Sequence, residues 1–156
     1  PLGNGLLPQP PLGTGEARFI KAGLFDNRGL SRNAFQPGED CEVRLSFVAD
    51  KEIPHASFGI VVQTHNALIA YGFNTVSDPQ AAFSCRPGIE HAAVIRLDLN
   101  LTPGTYYLSA VLSRVDGGRV VSLCGLEPFI EITITERLGV FGISNLFASF
   151  SQSRGE

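Results

Sequence analysis

Short runs in which apolar and polar residues alternate, each closed by a Gly, Pro or Asx turn, fill the chain from Glu16 to Glu136. No stretch longer than about ten residues before Arg137 sustains a helical period. A chain that reverses so often cannot build long helices. An alternating strand buries one face and wets the other, which suits antiparallel sheets packed into a sandwich or closed into a barrel. The expected strands are 17–25, 41–49, 56–64, 68–74, 92–100, 105–115, 119–123 and 129–136. Between them stand Asp26-Asn27-Arg28-Gly29, Gln36-Pro37-Gly38-Glu39, His65-Asn66-Ala67, Arg86-Pro87-Gly88, Thr102-Pro103-Gly104 and Asp116-Gly117-Gly118, all with chain-reversing chemistry.

The alternation also assigns faces. Val43, Leu45 and Phe47 share the inner side of their strand, opposite Glu42, Arg44 and Ser46. Phe58, Ile60 and Val62 face in, as do Ile95, Leu97 and Leu99, and Ile130, Ile132 and Ile134. In 105–115 the inner set is Tyr106, Leu108, Ala110 and Leu112, and the outer set is Tyr107, Ser109, Val111 and Ser113.

The two ends differ from the middle. Residues 1–15 are rich in Gly and Pro, a composition that favours neither helix nor sheet ladder, and are expected to be a flexible linker ahead of a domain spanning 16–136. In 137–156 an apolar tail follows, with a further strand candidate at 138–143. It needs cover, either from its own domain or by exchange into a second protomer.

Several functions are excluded by what is missing. The formal charge of −3 comes with scattered basic residues, so no positive patch addresses nucleic acid. The longest apolar stretches fall far short of the ~20 residues that span a bilayer. Cys41, Cys85 and Cys124 have no metal-ligand spacing and are expected to be free structural thiols. His55, His65 and His91 lie in separate segments, so neither metal nor cofactor is expected, and no phosphate-binding or nucleophile-elbow motif occurs. Carboxylates such as Asp98, Asp116, Glu127 and Glu131 are available, but turns and wet faces hold most of them, and no enzyme activity is expected.

The run from Phe35 onward resembles the C-terminal domain of Wzt-type O-antigen polysaccharide ABC transporters. The residues that carry the resemblance are Phe35-Gln-Pro-Gly-Glu39 ahead of the strand from Cys41, then Phe58-Gly-Ile60, Tyr71-Gly-Phe-Asn-Thr75, Pro87-Gly88, and Leu101-Thr-Pro-Gly-Thr-Tyr-Tyr-Leu-Ser-Ala-Val-Leu112. The resemblance implies an all-β fold: an immunoglobulin-like antiparallel β-sandwich, jelly-roll-like, of about eight strands. It implies a cytoplasmic domain at the inner-membrane face that binds the modified non-reducing terminus of a lipid-linked O-antigen polysaccharide. It also implies a homodimer made through the C-terminal strand. ATP hydrolysis would belong to a nucleotide-binding domain expected ahead of Pro1, working with the transporter's membrane subunits. The alternative is a secreted adhesion or structural sandwich.

The family carries no universal sugar-contact motif, so the site has to come from the faces. In an immunoglobulin-like strand order, 56–64, 68–74, 105–115 and 129–136 share a sheet whose outer face shows Gln63, His65, Tyr107, Ser109, Phe129, Glu131 and Thr133. That mixture offers an aromatic platform with hydrogen-bonding neighbours, which suits a sugar. The other sheet would show Arg44, Arg96 and Asp98, which would favour an acidic cap.

Overall fold

The computed structural model describes residues 13–76, 78–126 and 129–136. The tail at 137–156, with its strand candidate, and most of the segment 1–15 lie outside the described residues. Ten strands follow in chain order: β1 (Ala17–Phe25), β2 (Ala34–Phe35), β3 (Asp40–Ala49), β4 (Ile53–Thr64), β5 (Ile69–Asn74), β6 (Phe83–Cys85), β7 (Glu90–Asp98), β8 (Gly104–Asp116), β9 (Arg119–Gly125) and β10 (Ile130–Ile134). Eight of them answer to the expected runs. The two additional strands, β2 and β6, are two and three residues long, too short to display a period.

Two sheets form. One has the order β1-β3-β7; the other has the order β2-β10-β8-β4-β5, with β6 also on β4 and β9 also on β8. Strands β9 and β10 lie end to end along one edge of β8, β9 against Val111–Asp116 and β10 against Gly104–Leu108. The Leu126 N–H bonds the Ala110 carbonyl between them. Among the strand pairs, β2 with β10 is parallel and the rest are antiparallel.

The inner faces meet as the alternation requires. Val43, Leu45 and Phe47 of β3 are buried against Ile60 and Val62 of β4, Leu108, Ala110 and Leu112 of β8, and Ile132 and Ile134 of β10. Phe47 stands edge-on to Phe58 with ring centroids 5.2 Å apart, and Phe58 stacks on Phe83 at 5.4 Å. Such pairs contribute roughly 0.5–1.5 kcal/mol each beyond their buried area. Ser113 departs from its expected wet position and is buried, opposite Ser57 of β4, which is buried as well.

Polar anchors hold the connections. Asp26 is buried in its turn, and its carboxylate accepts from the Arg28 and Leu30 N–H groups and from Arg32. The Leu30 bond foremost, then those of Arg28 and Arg32, hold this carboxyl below its usual range against the opposing effect of burial. At the entry to β8, the buried Tyr106 hydroxyl donates to the Thr102 carbonyl at 2.8 Å, tying the strand start to the Thr102-Pro103-Gly104 turn. This is the tyrosine-corner arrangement of immunoglobulin-like sandwiches. Ahead of β1, the Thr14 and Gly15 N–H groups bond the Ser122 and Leu123 carbonyls of β9. A Cβ at Gly13, at φ +106°, would lie 2.5 Å from the Leu123 carbonyl carbon, so only glycine fits there.

Tyr106→Phe removes the corner bond and is expected to cost about 1–3 kcal/mol, read as a lower urea midpoint at unchanged slope. The Asp26 contribution is present above the ordinary carboxylate pKa of about 4 and disappears as pH falls through the lower folded value. Wild type is therefore expected to exceed Asp26→Asn in stability at neutral pH, with the gap closing on acidification below about pH 4 in parallel urea melts.

Candidate functional site

The outer face of the larger sheet is built from strands that hydrogen bonding brings into strict register. Gln63 of β4 lies opposite Tyr107 of β8, and Tyr107 lies opposite Glu131 of β10, so three expected site residues form one row across three strands. Thr133 and Thr105 form the next row on one side. On the other side stand Ser109, Val61 and Gly72, then Val111, Gly59 and Asn74. Across these rows Glu131 is the one charged side chain among the described residues. Neither Gly59 nor Gly72 raises a side chain, which leaves low ground beside the row.

The remaining expected residues lie at the margins. His65 sits in the exposed β4–β5 turn, beyond the end of its strand. Phe129 precedes β10 and is exposed, and it lines a cavity of about 630 Å³ between β1 and the β9–β10 junction, together with Ile20 and Leu126. Gln63, Tyr107, Ser109 and Thr133 are half-buried, and Glu131 is exposed. Four of the seven expected residues thus stand on one continuous face with the exposed Glu131 of β10, while His65 and Phe129 border it.

The turn that carries His65 is strained. Ala67 has φ +60°, held by its N–H to the Thr64 carbonyl at 3.0 Å and by the Thr64 N–H to the Leu68 carbonyl at 2.9 Å. The Leu68 N–H also bonds Thr64 Oγ1 at 3.2 Å. One residue further, the pairing of β4 with β5 skips Ala70, a bulge that sequence alternation does not reveal.

The smaller sheet presents its arginines already engaged. Glu42 holds Arg44 at 2.9 Å and Arg96 at 3.3 Å, and the Arg44 guanidinium lies 4.2 Å over the Phe25 ring. Asp98 belongs to this sheet and Glu131 to the other, so the two carboxylates do not face one another as a hydrolytic pair would. The three thiols are free and buried, with no disulfide among them. Burial, and for Cys41 also the charges of Asp40 and Asp98, pushes the thiols of Cys41 and Cys124 up to about 11, so both stay protonated at neutral pH. His91 is packed flat on Phe47 at 5.5 Å and accepts the Arg86 N–H, while His55 and His65 lie elsewhere, and no cluster of metal-ligating residues occurs among the described residues.

The family model for the Wzt C-terminal domain matches residues 11–146. A crystal structure of the C-terminal domain of wzt is similar with a TM-score of 0.82 at 20% identity, covering 92% of this chain and 87% of that chain. A Niemann-Pick type C2 protein from the Japanese carpenter ant is similar with a TM-score of 0.53 at 8% identity, covering 81% of this chain and 98% of that chain. None of the curated proteins matches the chain. At these identities the structural likeness shows the β-sandwich fold. No helix among the described residues is long and apolar enough to cross a membrane.

Because a left-handed backbone costs alanine about 1–2 kcal/mol, offset by about 0.4–1 kcal/mol from glycine's freer unfolded chain, Ala67→Gly is expected to stabilise the domain by about 0.5–1 kcal/mol. Thermal melts of the two proteins check this, and a lower midpoint in the variant would contradict the strain.

Proposed function

The chain belongs to the Wzt C-terminal domain family, and from that premise we propose that it recognises the modified non-reducing end of a lipid-linked O-antigen polysaccharide without catalysing a reaction. The observation that supports this is the Gln63–Tyr107–Glu131 row, set in a sheet face with one formal charge. A glycan end is a neutral array of hydroxyls on apolar rings. A flat aromatic side chain supports the ring, and amide, carboxylate and hydroxyl groups discriminate among hydroxyl patterns, because a wrong ligand leaves them unpaired. Tyr107 is the platform; Gln63, Ser109, Glu131 and Thr133 are the hydrogen-bonding groups. His65 and Phe129 border the face and limit how the chain leaves it.

In this proposal the domain acts at the cytoplasmic side of the inner membrane and presents the finished polymer to an ABC transporter whose nucleotide-binding domain hydrolyses ATP. It does so as a homodimer, with the segment 137–156 as the element exchanged. The binding domain in this proposal is 16–136, and the Gly/Pro-rich segment 1–15 is its linker up to the last residues, where Thr14 and Gly15 are bonded to β9.

Tyr107→Ala and Gln63→Ala are each expected to weaken binding of the cognate polysaccharide about tenfold, measured by calorimetric titration. Full affinity in both variants would remove this face from consideration.

A further inference from the structure

The two sheets differ in width, and the difference leaves a crevice on the side away from β1. Three strands of the smaller sheet lie over a partner five strands wide, so the inner face of β5 has nothing opposite it beyond β7. Two cavities of about 580 and 630 Å³ run in succession along this opening. Ala92–Arg96 of β7 wall the first, facing Phe73 of β5, and Arg96–Leu101 wall the second, facing Ala70 and Tyr71. Both volumes lie in the range that encloses small ligands.

We infer that this β5–β7 crevice is a second carbohydrate cleft of the domain, which seats the apolar face of a sugar ring on Tyr71 and Phe73. It rests on the glycan function proposed above and extends it to the opposite face of the sheet from Tyr107. The floor is aromatic, because Phe47, Phe58 and Phe83 line the first cavity and pack on one another. The lips are aromatic rings that core positions do not normally show: Tyr71 is 47% and Phe73 42% exposed, although each lies opposite an inner-face residue, Val62 and Ile60. The bulge at Ala70 is what puts Tyr71 on the crevice side, for without it the alternation along β5 would continue into the turn with the opposite phase.

The rim supplies the polar half of the match. Asp98 and Asn100 line the second cavity, and their side chains make no hydrogen bond or ion pair among the described residues. From Leu68 to Val76 the opposite wall carries no charge at all. Apolar rings on one side and unengaged acceptors and donors on the other fit a pyranose, which has a C–H face and a hydroxyl edge. A second copy pairing with the free edge of β5 would extend the sheet sideways, in the plane of its hydrogen bonds, and would leave both rings bare, since side chains stand perpendicular to that plane.

The full chain is titrated calorimetrically with O-polysaccharides released by mild acid from a panel of bacterial lipopolysaccharides. The proteins compared are wild type, the double variant Tyr71→Ala/Phe73→Ala, the rim variant Asn100→Ala and Tyr107→Ala, each checked for an unchanged circular dichroism spectrum. The expected result is about a tenfold or greater loss in the double variant and a smaller loss in Asn100→Ala. Because Asn100 is exposed, the rim variant reports on the crevice even where the double variant unfolds. Full affinity in both crevice variants, with loss in Tyr107→Ala, overturns the cleft and leaves the glycan function standing. Failure of wild type to bind any polysaccharide of the panel overturns both. A shift from dimer to monomer in the double variant at unchanged affinity, seen by sedimentation, assigns the crevice to a second copy and overturns the cleft.

Discussion

The contact of β3 with β4 and β8 carries the sandwich. Val43, Leu45 and Phe47 enter the larger sheet where Phe58, Ile60, Leu108 and Ala110 lie, and all of these are buried to at least nine-tenths. Phe47 is the centre of this contact, with Phe19, Phe58 and Phe83 around it and His91 flat against it. Because β3 is the middle strand of three and β4 and β8 are interior to their sheet, the two sheets are centred on each other and both margins of the larger one are left over. One margin holds the cavity beside β1 and the other holds the β5–β7 crevice. The concave features of the molecule thus follow from one mismatch of strand number, while the flat outer face of the larger sheet is independent of it.

Charge is kept at the periphery and is mostly paired. Glu16 joins Lys51 and Arg114, Asp26 and Glu39 share Arg32, and Glu42 spans Arg44 and Arg96. Exposed pairs stabilise by fractions of a kcal/mol, so the larger effect of Glu42 between Arg44 and Arg96 is to offset charge on the smaller sheet's outer face. The outer face of the larger sheet reaches the same neutrality by composition, with serine, threonine, glycine and glutamine across its rows. A face of this kind exerts little long-range attraction, and a ligand placed on it would be held by shape and hydrogen bonds.

Much of this was legible in the residues. The period-2 alternation located eight strands and the inner set of each long one, because burial of one face forces a one-sided pattern wherever a strand is longer than about four residues. It was silent on β2 and β6, whose two and three residues are held by neighbours: Phe35 by burial in the core, and Phe83 by stacking on Phe58. It misplaced Ser113, which is buried opposite the equally buried Ser57 of β4, a covering that alternation along one strand does not record. Among the residues expected at the site, the common face of Gln63, Tyr107, Ser109, Glu131 and Thr133 was within reach of alternation plus a shared sheet. His65 and Phe129 fell just past strand ends, where alternation stops specifying direction.

What the sequence determined by itself was the class of fold, the turns and the faces, since these follow from local chemistry: Gly and Asx at reversals, and apolar side chains at every second position. Only the tertiary structure decided that Gln63, Tyr107 and Glu131 share one row, that Glu42 occupies both Arg44 and Arg96, and that Tyr71 and Phe73 look into a crevice. Each of these depends on which strands are neighbours, on one bulge at Ala70, and on three strands covering five. Pairing and coverage are set by contacts between residues tens of positions apart, which the pattern along a single strand does not record.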